Sequence, residues 1–238
     1  MSGHSKWATI KHKKALIDAK RGKVFTKMIK EITVAARTGG GDPNGNPRLR
    51  LLIDKAKSVN MPMDNMNRAI KKGTGELPGV AYESYMYEGY GPHNVAVVVE
   101  VLTDNKNKAV AELRHAFSRN GGHMAEAGSV LWMFERLGVL HVTGADITEE
   151  RLIDLLLDYD PRDIRIEDGA GVVTCDPKHI ESLKDVLTKN GFKVTDAEVE
   201  WLAHNSLVLE SADEEKTLAF LEAIDELDDV QNVYTNMA

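Results

Sequence analysis

Seventeen lysines and arginines stand in the first third of the chain, and the chemistry open to such a set is phosphate neutralisation. They are Lys6, Lys11, Lys13, Lys14, Lys20, Arg21, Lys23, Lys27, Lys30, Arg37, Arg48, Arg50, Lys55, Lys57, Arg68, Lys71 and Lys72. Only five acids, Asp18, Glu31, Asp42, Asp54 and Asp64, oppose them before Gly75, so the segment carries +12. The remainder holds 13 basic and 32 acidic residues and carries −19, so the overall −7 hides two opposite halves. That asymmetry is the footprint of a polyanion-binding arm on an acidic body. Each cation seated on a phosphate releases condensed counterions, and about six duplex contacts give a log affinity against log salt slope of about −5. All seventeen are candidate contacts. Phosphate contacts position a protein without reading bases, and the chain has no recognisable helix-turn-helix, zinc-finger or RNA-recognition signature.

Other chemistry fits less well. Gly39-Gly40-Gly41 lacks the Lys-Ser or Lys-Thr that completes a phosphate-cradling loop, and Gly73-Thr74-Gly75-Glu76 lacks the rest of that motif. The eight histidines are scattered, without metal-ligand spacing. Cys175 reads as an inert buried thiol on a strand. Asp158, Asp160 and Asp163 could be drawn as a divalent site, but a solvated turn explains them more simply. The acids between Asp213 and Asp229 read as a solvated helix face. Trp7 could stack on a base, although a core anchor suits tryptophan better. The expectation is a non-enzymatic protein with no catalytic residue, no metal, no cofactor and no small-molecule substrate.

These cations must be positioned by helices. At ~100° per residue, Lys20, Lys23, Lys27, Lys30 and Arg37 fall within an arc of roughly 100°. Phe25, Met28, Ile29, Ile32, Ala35 and Ala36 lie opposite, and only Val34 spoils the basic side. One face should pack and the other meet the polyanion, so reversing Lys23, Lys27 and Lys30 to glutamate should abolish binding and spare the fold. Gly39 to Pro43 forms a loop, and Asn46-Pro47 reads as a cap and first-turn proline. Leu49, Leu52, Ile53 and Ala56 stripe the next helix. A further helix begins near Pro62, shows Met63, Met66 and Ile70, and should end before Gly73.

From Tyr82 the period changes to two. Val95 to Leu102 reads as a buried strand and Asn105 to Arg119 as a helix. After Ser129 the order is strand, helix, strand, strand, helix, strand, the ferredoxin-like layout. Asn205 to Glu210, a helix from Asp213 to Leu227, and Val230 to Thr235 remain to complete a second unit begun at Tyr82.

No apolar run is long enough to span a bilayer, and Met1 to Trp7 lacks the layout of a secretory signal. A single cysteine suits a reducing compartment. The expectation is a cytoplasmic protein without a membrane partner, because the apolar side of the basic helix is needed by its two neighbours.

Several motifs then occur in order. Gly3-His4-Ser5-Lys6-Trp7 opens the chain, and Asp18-Ala19-Lys20-Arg21-Gly22-Lys23 leads into Phe25-Thr26-Lys27. Gly39 to Pro43 precedes Asn46-Pro47-Arg48-Leu49, and Arg68-Ala69-Ile70-Lys71-Lys72-Gly73-Thr74-Gly75 follows. Tyr87-Glu88-Gly89-Tyr90-Gly91-Pro92 and Gly128-Ser129-Val130-Leu131-Trp132-Met133-Phe134-Glu135 lie further on. Together they resemble the YebC family of probable transcriptional regulators, related to mitochondrial translational activators of cytochrome oxidase. The resemblance covers essentially the whole chain.

It implies an α+β fold: an N-terminal helical domain followed by two ferredoxin-like α/β domains, the third inserted into the second. On this sequence the domains would be 1–77, 78–128 plus 204–238, and 129–203. It also implies a nucleic-acid partner and DNA binding in transcription regulation. The alternative is a ribosome-associated translation factor lying on rRNA. The same cations serve both, and an adaptor meeting an acidic protein is a third possibility.

Overall fold

The computed structural model describes Trp7 and residues 21–167 and 169–238. Three helices come first: α1 (Arg21–Gly39), α2 (Pro47–Ser58) and α3 (Met63–Thr74). Their apolar stripes meet in one core of Met28, Ile32, Ala35, Leu49, Ala56, Met61, Met66 and Ala69. The expected cap of α2 is present, since Asn46 Oδ1 accepts the Leu49 N–H at 3.1 Å with Pro47 at the first helical position. Its Nδ2 also donates to Ala35 O and Gly40 O, both at 2.9 Å, which ties the start of α2 to the end of α1.

Gly73 does not terminate α3. The helix runs on to Thr74, and Gly75 ends it with the left-handed φ of +84° that glycine accepts without strain. Gly73 instead lets α1 and α3 approach: a Cβ there would stand 2.4 Å from Thr33 O and 2.8 Å from Ala36 Cβ. Gly73→Ala should therefore destabilise the protein by about 1–3 kcal/mol through overpacking, despite the ~1 kcal/mol that alanine gains in a helix interior. Urea titration of the two proteins checks this, and an unchanged midpoint would refute it.

The chain divides into two compact units, one of residues 1–134 with 202–238 and one of residues 135–201. The first contains the helical bundle and an antiparallel sheet built on the hairpin β1 (Glu83–Tyr90) and β2 (Ala96–Thr103). Helix α4 (Lys106–Arg119) and the short β3 (His123–Ala125) follow. The sheet order is β3-β1-β2-β8, with β8 (Val230–Thr235) supplied from the end of the chain. Val97, Val99 and Val101 alternate onto one face and pack with Leu113 and Phe117 of α4. Trp7, 4% exposed, belongs to the same core, so it is an anchor rather than a stacking platform. Residues 205–210 contribute only the isolated bridge Leu207–Met237, and β3 takes the remaining edge. Three residues are too few for a periodic signal, so β3 was not expected from the sequence.

The second unit runs from β4 (Phe134–Thr143) through α5 (Glu149–Leu156), β5 (Asp163–Glu167), β6 (Ala170–Cys175) and α6 (Ile180–Lys189) to β7 (Lys193–Ala203). Its sheet order, β5-β6-β4-β7, with the strand-helix-strand-strand-helix-strand sequence, is ferredoxin-like. Leu152 and Leu156 of α5 and Leu183 and Leu187 of α6 are fully buried. A last helix, α7 (Ser211–Asp225), returns the chain to the first unit and packs Phe220, Leu221 and Ile224 into its core.

Candidate nucleic-acid interface

The lysine row of α1 forms as a row, but among the described residues only its ends at Lys23 and Arg37 are exposed, while Lys27 is half-buried and Lys30 buried. Lys30 is 7% exposed, and its Nζ donates to Asp229 Oδ1 at 2.7 Å, Asp228 O at 2.9 Å and Leu102 O at 3.3 Å. Lys27 Nζ donates to Asp225 O at 2.9 Å and Asp225 Oδ1 at 3.1 Å. Lys23 Nζ reaches Glu226 O at 2.9 Å. Asp225 O and Glu226 O lie at the C-terminal end of α7, which has no basic residue in its own last turn. The orphan carbonyls and negative dipole end of that helix therefore take their cations from α1.

For Lys27 and Lys30 the expectation that the row offers itself to phosphate is corrected here; Lys23 and Arg37 stay exposed. The expectation that charge reversal spares the fold is corrected too, since glutamates would face carboxylates and carbonyls. Val34 carried the missed signal. It sits among the lysines on the helical wheel and is buried, because that side of α1 is covered as well.

The C-terminal acids are corrected in the same way. Asp229 is 8% exposed rather than solvated, and Thr103 Oγ1 donates to its Oδ2 at 2.9 Å. Burial alone would raise the Asp229 carboxyl, but Lys30 and Thr103 outweigh it and hold the group below the usual carboxylate range.

Other candidate cations have different surroundings. Arg37 donates to Tyr82 O, and Arg50 donates to Pro43 O and Asn44 O, both at 3.1 Å. Lys55 is partly buried and engaged. Arg48 and Lys57 of α2 and Arg68, Lys71 and Lys72 of α3 are exposed. None of these five side chains makes a hydrogen bond or ion pair with another described residue. Arg68, Lys71 and Lys72 stand at i, i+3 and i+4, one above the other on a single face of α3. Lys6, Lys11, Lys13, Lys14, Lys20 and the side chain of Arg21 lie outside the described residues.

One constellation was missed altogether. Glu88 on β1 is 5% exposed, and its carboxylate accepts the N–H groups of Gly128 at 2.6 Å, Val130 at 2.7 Å and Leu131 at 2.8 Å. Burial pushes this carboxyl up, but the three backbone donors more than offset it and hold it below the usual range. The clamp shapes the loop from which Trp132, 71% exposed, projects. Trp132 Nε1 donates to Ser129 O at 3.0 Å. Both partners lay in motifs noted in the sequence, but nothing in their spacing linked them.

No group of three His, Cys, Asp or Glu side chains among the described residues is arranged to hold a metal. Asp163 faces Arg165, and Asp160 has a left-handed φ of 51°. Cys175 is fully buried, and burial followed by the neighbouring Asp176 pushes its thiol up to about 11, far from thiolate reactivity at neutral pH. No helix of the described residues is long and apolar enough to cross a membrane.

A basic three-helix domain joined to antiparallel α/β units defines the class. The profile described as the TACO1/YebC protein N-terminal domain matches residues 5–76. That of the TACO1/YebC second and third domain matches residues 82–237. A "Probable transcriptional regulatory protein" of Chlorobium phaeovibrioides is 52% identical over 238 residues, covering 100% of this chain and 95% of the relative. A protein of the same description from Geobacter sulfurreducens is 51% identical over 236 residues, covering 99% and 95%. The crystal structure of a conserved hypothetical protein from Aquifex aeolicus superposes with a TM-score of 0.88 at 41% identity, covering 98% of this chain and 97% of that one. The chain belongs to the TACO1/YebC family.

Proposed function

We propose that this protein is a nucleic-acid-binding regulator of gene expression, and that its helical domain, residues 1–77, grips DNA phosphates. The supporting observation is the row Arg68, Lys71 and Lys72 on α3, whose side chains are exposed and have no partner among the described residues, with Arg48 and Lys57 exposed on α2. Cations so placed remain available to a polyanion, whereas Lys27 is taken up by Asp225 at the end of α7 and Lys30 by Asp229. The regulatory names of the relatives agree with this reading. The net negative charge of the rest of the chain repels phosphate, which orients the protein with its helical domain against the duplex.

The triple variant Arg68→Glu, Lys71→Glu, Lys72→Glu tests it on exposed positions that leave the core intact. Its affinity for a labelled DNA duplex should fall on the order of tenfold or more, and its salt slope should become shallower by about 3. The thermal midpoint should fall by only a few degrees, since two of the glutamates replace the last-turn cations Lys71 and Lys72 of α3 at about 0.3–1 kcal/mol each without touching the core. Unchanged binding and slope would remove these residues from the interface. Preference for structured RNA over the duplex at equal salt would move the target from transcription to translation.

A further inference from the structure

The second unit carries an open groove with an apolar floor and an acidic rim, which phosphate binding does not use. It has a volume of about 350 Å³ and a floor of Ile153, Leu157, Pro161 and Ile164. Ile153 is 39% exposed and Leu157 70%. Leu152 and Leu156, the neighbouring positions of the same helix, are fully buried. The apolar stripe of α5 is therefore wider than the sheet beneath it can cover. Thr148 caps the helix by accepting the Arg151 N–H at 3.2 Å, so Ile153 and its neighbours stand on a defined helix rather than a loose segment.

The surroundings specify what such a floor would take. Glu149, Asp160 and Asp163 line the rim, and Glu150, Asp154 and Asp158 are exposed along the same helix and the turn after it. The arginines nearby do not reverse this field, and Arg151 of the same helix lies over the Phe192 ring. Arg162 is paired with Glu135 at 2.6 Å, and Arg165 is shared between Asp163 and Glu167. Nucleic acid and anionic lipid would be repelled. A second copy meeting this groove with its own would set acid against acid, as the self-complementary geometry of a two-fold dimer requires.

We propose that this groove is a docking site for a basic amphipathic segment of another protein, one that seats aliphatic side chains on Ile153 and Leu157 and sets lysines or arginines against the acidic rim. Helix-in-groove recognition uses anchors at i, i+3 and i+4 in this way, and charge complementarity fixes the choice of partner. A regulator bound to nucleic acid would in this way gain a second contact, to protein.

The full chain is titrated against a fluorescein-labelled amphipathic helix of leucine and lysine, and against the same pattern with glutamate for lysine, by fluorescence anisotropy. The lysine peptide should bind at least on the order of tenfold more tightly, and its affinity should fall with salt. Leu157→Ser should weaken it on the order of tenfold, the loss expected for one buried aliphatic anchor. Asp160→Asn, which keeps a residue tolerant of the left-handed backbone, should weaken binding a few-fold and flatten its salt dependence. Amide exchange should slow in residues 149–164. Leu157 is exposed, so an unchanged thermal midpoint shows that the variant is folded. Equal affinity for both peptides, no effect of Leu157→Ser, or protection confined to another region would overturn the proposal. So would self-association abolished by Leu157→Ser without peptide binding, which would assign the groove to a second copy.

Discussion

Lys30→Met lowers the stability of the protein by about 3–5 kcal/mol, the cost of leaving a buried charge without its partner. The methionine fills similar space, so the loss is electrostatic rather than a cavity effect. In the native protein the Lys30 ammonium makes three contacts: Asp229 Oδ1, Asp228 O and Leu102 O. Its removal leaves the Asp229 carboxylate with Thr103 and two carbonyls without a cation. Urea unfolding at neutral pH measures the difference, and a loss below about 1 kcal/mol would mean that water replaces the ammonium without penalty.

The pH dependence gives a second reading of the same contact. The folded Asp229 carboxyl lies below its ordinary value, so its contribution is fully present above the unfolded carboxylate pKa of about 4. It is lost as pH falls through the lowered folded value. The wild type and Lys30→Met should therefore differ most near neutrality and converge in acid. Lys30→Glu would set two carboxylates together and should be worse at neutral pH, partly relieved by acid.

Glu88→Gln should cost about 2–4 kcal/mol, because charge-assisted hydrogen bonds are the stronger kind and three backbone donors share this acceptor. The glutamine oxygen can serve only part of the fan of N–H groups from Gly128, Val130 and Leu131. Its NH₂ is also a donor set against donors. The sign with pH matches that of Asp229. The lowered Glu88 carboxyl stabilises the fold above about pH 4 and stops doing so as pH falls through its folded value. Trp132 supplies a local readout, since its indole hydrogen bond to Ser129 depends on the loop that Glu88 holds. Near-UV circular dichroism of the variant should lose Trp132 signal before global unfolding. Retention of that signal with unchanged stability would show that the clamp is dispensable.

Local features were readable in residue order. The Asn46-Pro47 start of α2, the α5 and α6 helices and the buried apolar run of β2 all follow from backbone preferences and hydrophobic patterning. The α+β class followed from the change of period at Tyr82. Gly73 was misread as a terminator because glycine ends helices and also permits close packing, and only the position of Thr33 on the partner helix separates the two. β3 was absent from the reading because its three residues gain their role from pairing with β1.

The charge pattern was equally legible, but its use was not. By itself the sequence determined that α1 has an apolar side and a cationic side, and that the cations of the chain gather before Gly75. Which of those cations remain available to a polyanion was decided by tertiary structure. Lys30 meets a carboxylate 199 residues away, and helical periodicity records only that a side is polar. Phosphate, water and the carbonyl end of another helix all satisfy an ammonium in the same way, by accepting its hydrogens in a negative field. Only the return of α7 against α1 selects among them, which leaves the α3 cations facing outward.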